Sequence, residues 1–216
     1  MPTTIQRRTL GLALPALLIA TAATAQNTAH AHIGHVANTF GGTPSGQGLL
    51  PTAIAEAEVA IQHAGLAANE PGNLDTMKRH VAHVLHAIDP SLVQDGPGLG
   101  YGVKQAAEGV ALHIEIAASA DGASDNVRTH AAHIAGAARS VVGRTDRIAA
   151  LAAEIQAATS APAAAAALTE LHTLTQALVS GREADGDGRV GWAAPEGGLR
   201  QAQQHLTLLE RGEGLT

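Results

Sequence analysis

Histidine is the residue through which this chain can do chemistry. Twelve histidines occur in 216 residues, and all of them lie beyond residue 25. Neutral imidazole is a common ligand for divalent transition metals and titrates near neutral pH. The positions are not scattered. His80, His83 and His86 follow one another at i, i+3, i+6, with Asp89 next in line, and His130 and His133 repeat the first two steps. Two imidazoles three residues apart on a helix share a side, and a neighbouring helix must bring the remaining ligands.

Shifting the chain by 50 residues exposes the device that places them. His63 then falls on His113, His80 on His130 and His83 on His133, while Glu58, Gly72 and Asp75 fall on Glu108, Gly122 and Asp125 without a gap. The repeating unit is a helix–turn–helix of about 40 residues used twice. Helical periodicity puts His63 beside Val59, Ala60, Leu66 and Ala67, and His113 beside Val110, Ile116 and Ala117, so both are expected on the core side. On the following helix Val81, Val84, Leu85 and Ile88 form the apolar stripe. His80 flanks that stripe, and His83 and His86 turn away from it.

The fold expected is all-α: a four-helix bundle from the duplicated hairpin, with further C-terminal helices. Helices are expected at about 51–68, 75–88, 103–118, 125–142 (continuing or restarting up to 159), 163–179 and 198–211. Pro and Gly clusters at Asn69–Asn73 and Gln94–Gly102 serve as turns. Phe40, Tyr101 and Trp192 are the chain's three aromatics, so the core must be built of Ala, Val, Leu and Ile. That composition suits closely packed helices better than a sheet.

Residues 1–25 read as a secretory leader. Arg7 and Arg8 precede an uncharged run from Thr9 to Ala25 that ends Ala23-Thr24-Ala25, a small-x-small cleavage signal. The expected destination is the periplasm, by the general or the twin-arginine route, with no membrane anchor after cleavage. The organisation expected is leader 1–25, lead-in 26–50, duplicated hairpins 51–142 and a C-terminal segment 143–216. Without Arg7 and Arg8 the 13 basic residues become 11 against 19 acids, a net charge of −8 with histidines neutral. Such a chain lacks the basic character of a nucleic-acid binder. Having no cysteine, it has no disulfides, thiolate sites or covalent haem attachment. No zincin, di-iron, nucleophile-elbow or phosphate-loop motif is present, so no enzyme activity is expected.

The stretches Glu58-Val-Ala-Ile-Gln-His63 with Met77-Lys-Arg-His80-Val-Ala-His83, and Glu108-Gly-Val-Ala-Leu-His113 with Val127-Arg-Thr-His130-Ala-Ala-His133, resemble the small histidine-rich periplasmic metal-binding proteins of nitrifying bacteria. Those are tandem helical hairpins that bind several divalent metals, copper included. The resemblance spans about residues 51–140, and this chain is poorer in histidine and acid than that family. It implies a metal buffer or scavenger. The ligands expected for copper, zinc or nickel are His63, His80, His83, His86, His113, His130 and His133, with His32, His35, Met77 and Asp89 as possible additions. His172 and His205 are expected to stand apart.

Two other readings use overlapping residues. His63 and His113 on related helices are candidate axial ligands for a non-covalent b-type haem, with Met77 as another donor. The segment from Glu183 to Trp192 resembles an EF-hand calcium loop, with Glu183, Asp185 and Asp187 at positions 1, 3 and 5, Gly188 at 6 and Ala194 at 12. Starting at Asp185 instead places Arg189 at position 5 and Glu196 at 12.

Overall fold

The computed structural model describes residues 28–215, so the expected leader and its cleavage point lie outside the described residues. Within them every extended element is helical. Residues 28–37 form α1; Leu49–Ala68, Leu74–Ile88, Val103–Ser119, Asp125–Ala157, Ala161–Ser180 and Leu199–Glu213 form α2 to α7. A single 3-10 turn, Pro44–Gly46, and one isolated bridge between Thr39 and Gln47 shape the α1–α2 connection. No described helix is long and apolar enough to cross a membrane.

Helices α3, α5 and α6 begin at a polar side chain that satisfies a free backbone N–H group, whereas α2, α4 and α7 follow a glycine. Asn73 caps α3 by accepting from Thr76 N at 3.1 Å, and Ser124 caps α5 by accepting from Val127 N at 3.0 Å. Asp89-Pro90 stops α3, and Gly181, with φ of +73°, ends α6 in a conformation that glycine reaches without strain. Helix α5 runs unbroken through Gly143 for 33 residues, about 50 Å at 1.5 Å per residue. The division expected after Val142 therefore falls inside one element. A lone interior glycine costs about 1 kcal/mol against alanine, too little to break a helix packed along much of its length.

Helices α2 and α3 form one hairpin, α4 and α5 another, and the hairpins meet through α2 on α4 and α3 on α5. Helix α6 packs on α5 and α2, and α7 lies along α5. The core is dominated by alanine with Ile, Leu and Val between the helices, as the scarcity of aromatics requires. Met77 is fully enclosed in it.

One buried carboxylate organises the loop between the hairpins. Glu56 on α2 is completely inaccessible and accepts from Tyr101 N at 2.8 Å, Gly102 N at 3.0 Å and Leu99 N at 3.1 Å. Gly98 (φ +126°) passes so near that a Cβ there would lie 2.4 Å from Glu56 Oε2.

Candidate metal centre

Nine of the twelve histidines gather into three groups of three: His32, His35 and His113; His63, His80 and His83; His130, His133 and His205. Each group follows one plan. An i, i+3 pair on one helix faces a single histidine from another, and all nine side chains are half-buried. The first group joins α1 to α4, the second α2 to α3, and the third α5 to α7.

The contacts converge on Nδ1. In the first group His113 Nδ1 lies 2.8 Å from His32 Nδ1 and 3.2 Å from His35 Nδ1. In the second, His63 Nδ1 lies 3.0 Å from that of His80 and 3.2 Å from that of His83. In the third, His205 Nδ1 lies 3.1 Å from that of His130 and 3.3 Å from that of His133. An imidazole Nδ1 offers one hydrogen or one lone pair, so the central ring cannot form two good hydrogen bonds through that atom. One cation facing three lone pairs satisfies all of them. At a metal–nitrogen distance of about 2.1 Å these separations correspond to angles of roughly 85–105°, a range that includes the octahedral value and stops just short of the tetrahedral one.

At six of the nine rings burial favours the neutral form, which ligation requires. Burial pushes His63, His113 and His205 below the usual histidine range, and the other imidazoles of each group push them further the same way. Burial, then neighbouring charge, likewise lowers His32, His83 and His133. The unfolded chain takes these protons near pH 6.5, whereas the folded rings resist them to lower pH. The unfolded state thus binds more protons in that interval. Metal-free protein should be at full stability from this source above about pH 6.5 and lose it as pH falls below that value. Urea midpoints measured from pH 8 to pH 5 check this; a flat profile would contradict it.

Two of the chain's three aromatic side chains cover these groups. Phe40 stands edge-on to His113 and His35, with ring centroids 5.0 and 5.6 Å apart. Trp192 stacks on His133 at 4.0 Å with the planes 28° apart. Because Trp192 is the sole tryptophan, it is a built-in reporter for the third group. Copper(II) should quench most of its emission in the parent and in His63→Gln, but not in His205→Gln. Equal quenching in both variants would show that the metal binds elsewhere.

The structure redistributes several expected ligands. His113 meets α1 rather than His130 and His133, and His205, expected to stand apart, completes the third group. His63 and His113 sit in separate groups, each against a pair on another helix, which is not the arrangement of two axial ligands on one haem. His86 does not turn away: it is buried and donates from Nδ1 to the Val93 carbonyl at 2.8 Å. Gly96 lies against its ring, so close that a Cβ there would fall 2.6 Å from the His86 Cβ. Met77 is core, and Asp89 accepts from Ser91 N and Oγ at 3.0 and 2.6 Å. His172 Nε2 lies 3.3 Å from Gln176 Nε2.

The expected calcium loop lacks an EF-hand frame. Helix α6 ends at Ser180 and α7 starts at Leu199, so no helix flanks a twelve-residue loop directly. Glu183, Asp185 and Asp187 do cluster at the surface, but their carboxylates accept from Gly186 N, Asp187 N and Arg189 N respectively. Glu196 is a clamp. It accepts from Gly191 N at 2.7 Å, Ala184 N at 2.8 Å and Asp185 N at 3.1 Å, and these bonds hold its carboxyl below the usual range.

Three residues complete the arrangement without belonging to the repeated histidine motif of the sequence: His205, Phe40 and Trp192. His205 carried a signal, since it flanks the stripe Leu199, Ala202, Leu206 and Leu209 on α7 as His63 flanks that of α2. Phe40 and Trp192 carried only their rarity. Comparison with protein-family models, with curated proteins and with solved structures yields no match.

Proposed function

We propose that this protein is a periplasmic buffer or scavenger of divalent transition metal that takes up one ion at each of its three histidine groups. The observation that carries the reading is the threefold repetition of one ligand plan, a lone histidine whose Nδ1 lies about 3 Å from the Nδ1 of each member of an i, i+3 pair. A single cluster can arise from packing; three with the same donor atoms and the same pair-plus-one construction call for a common cause. The all-nitrogen donor set suits copper(II), zinc and nickel, and excludes calcium or magnesium as the preferred cargo, since those ions take oxygen ligands. The leader-like N-terminal sequence supports export, and the likeness of the hairpins to the metal-binding bundles of nitrifying bacteria supports storage over catalysis.

Half-buried positions between helices fit a buffer. An ion there exchanges with solvent, yet binding joins two elements and so stabilises the fold. Adding zinc, copper(II) or nickel to metal-free protein should raise Tm in proportion to the logarithm of free metal once the sites fill, while calcium leaves it unchanged. No rise with any of the three metals would sink the proposal.

A further inference from the structure

The 181–198 loop forms one wall of a cleft of about 780 Å³ whose charge is opposite to that of the chain. Arg139, Arg144 and Arg147 of α5 and Arg182 after α6 line it, against one acid, Glu183. These four are close to a third of the 13 basic residues in a chain of net charge −6.

Arg144 is a buried cation that the fold leaves without a counter-charge among the described residues. Only 6% of its surface is exposed. Its guanidinium donates to the carbonyls of Gly197, Pro195 and Glu196 at 2.5–2.6 Å, which anchors the loop but supplies no negative charge. Among the described residues no acid forms an ion pair with Arg144 or Arg182, whereas Arg139 pairs with Glu115 and Arg147 with Glu170 and Glu154. Burial and the neighbouring Arg182 push Arg144 down to about 10. A buried cation without a counter-charge is costly, and an anion brought to it recovers part of that cost.

From this arrangement we infer that the cleft is a binding site for a small organic anion with two or more carboxylate or phosphate oxygens, held between Arg144 and Arg182 and approached by Arg139 and Arg147. A free guanidinium such as that of Arg182 matches such oxygens in bidentate geometry, while Arg144, whose Nη2 hydrogens go to Pro195 and Glu196, contributes its charge. The volume far exceeds an inorganic ion, and Leu174, Ala194 and Pro195 supply an apolar wall for a carbon skeleton. The site is independent of the histidine groups, none of whose members lines it.

Calorimetric titration of the full chain, stripped of metal on a chelating resin, tests the assignment with succinate and glycerol 3-phosphate as probes. At least one should bind at a single saturable site, less tightly as salt is raised. Arg182 is exposed, so Arg182→Gln should leave the fold intact and weaken binding about tenfold, the loss expected for one charge-assisted contact. His63→Gln should leave the affinity unchanged. A dicarboxylate preferred over the phosphate ester, or the reverse, identifies the headgroup. Binding of neither probe, binding of inorganic phosphate alone, or an affinity unaltered by Arg182→Gln would overturn the assignment.

Discussion

The variant His63→Gln/His113→Gln/His205→Gln should retain its helical fold but lose most of the thermal stabilisation that zinc gives the parent. Each of these residues is the lone member of its group and comes from a different helix than the pair it faces. Removing it leaves an i, i+3 pair on one helix, two ligands with no bridge between elements. In the parent, free metal at a hundred times Kd adds about 2.7 kcal/mol per site, so three sites contribute at most roughly 8 kcal/mol. For a chain of this length that corresponds to an upper bound of roughly 15–30 °C in Tm. The lone residues are half-buried rather than core, so the metal-free variant should melt within a few degrees of the metal-free parent. Scanning calorimetry with and without zinc measures both quantities, and a zinc shift as large in the variant as in the parent would refute the assignment of these residues.

The second large effect concerns stability alone. Glu56→Ala should destabilise the protein by about 3–5 kcal/mol, because it removes the acceptor of three N–H groups in an enclosed site and leaves a cavity. At roughly 2–4 °C per kcal/mol this lowers Tm by about 6–20 °C. Glu56→Gln should fall between the two: its amide retains one oxygen for Tyr101 and Gly102 but presents N–H to N–H at Leu99. Chemical denaturation of both variants checks the order. A Glu56→Ala midpoint equal to that of the parent would show that the loop is held by other means.

Much of this architecture is readable in the sequence. Asn73, Ser124, Asp89-Pro90 and Gly181 mark helix ends through local backbone chemistry, and the apolar stripes of α2 to α5 fix their buried faces. The i, i+3 histidine pairs belong to one helix each, so they too are legible. What spacing leaves open is the partner. His63 to His80 and His113 to His130 are the same 17 residues apart. Yet the first pair meets within its own hairpin, while the members of the second turn to α1 and α7.

Spacing sets the level of a side chain along its helix. It does not say which helix fills the groove beside it, and α1 and α7 reach their grooves from 78 to 81 and from 72 to 75 residues away. Glu56 was legible in part, as an acid in the stripe Ala53, Ala57, Ala60 and Ala64. The loop that it holds was not. His86 shows the reverse error: its angular position faces away from the apolar stripe, and the Val93–Gly96 segment folds over to cover it.

Native mass spectrometry of zinc-loaded protein counts the occupied histidine groups one by one. The parent should carry three zinc ions, each of His63→Gln, His113→Gln and His205→Gln two, and His86→Gln and His172→Gln three. A parent that binds fewer than three ions, or single variants of the lone histidines that still bind three, would contradict the assignment of one ion to each group.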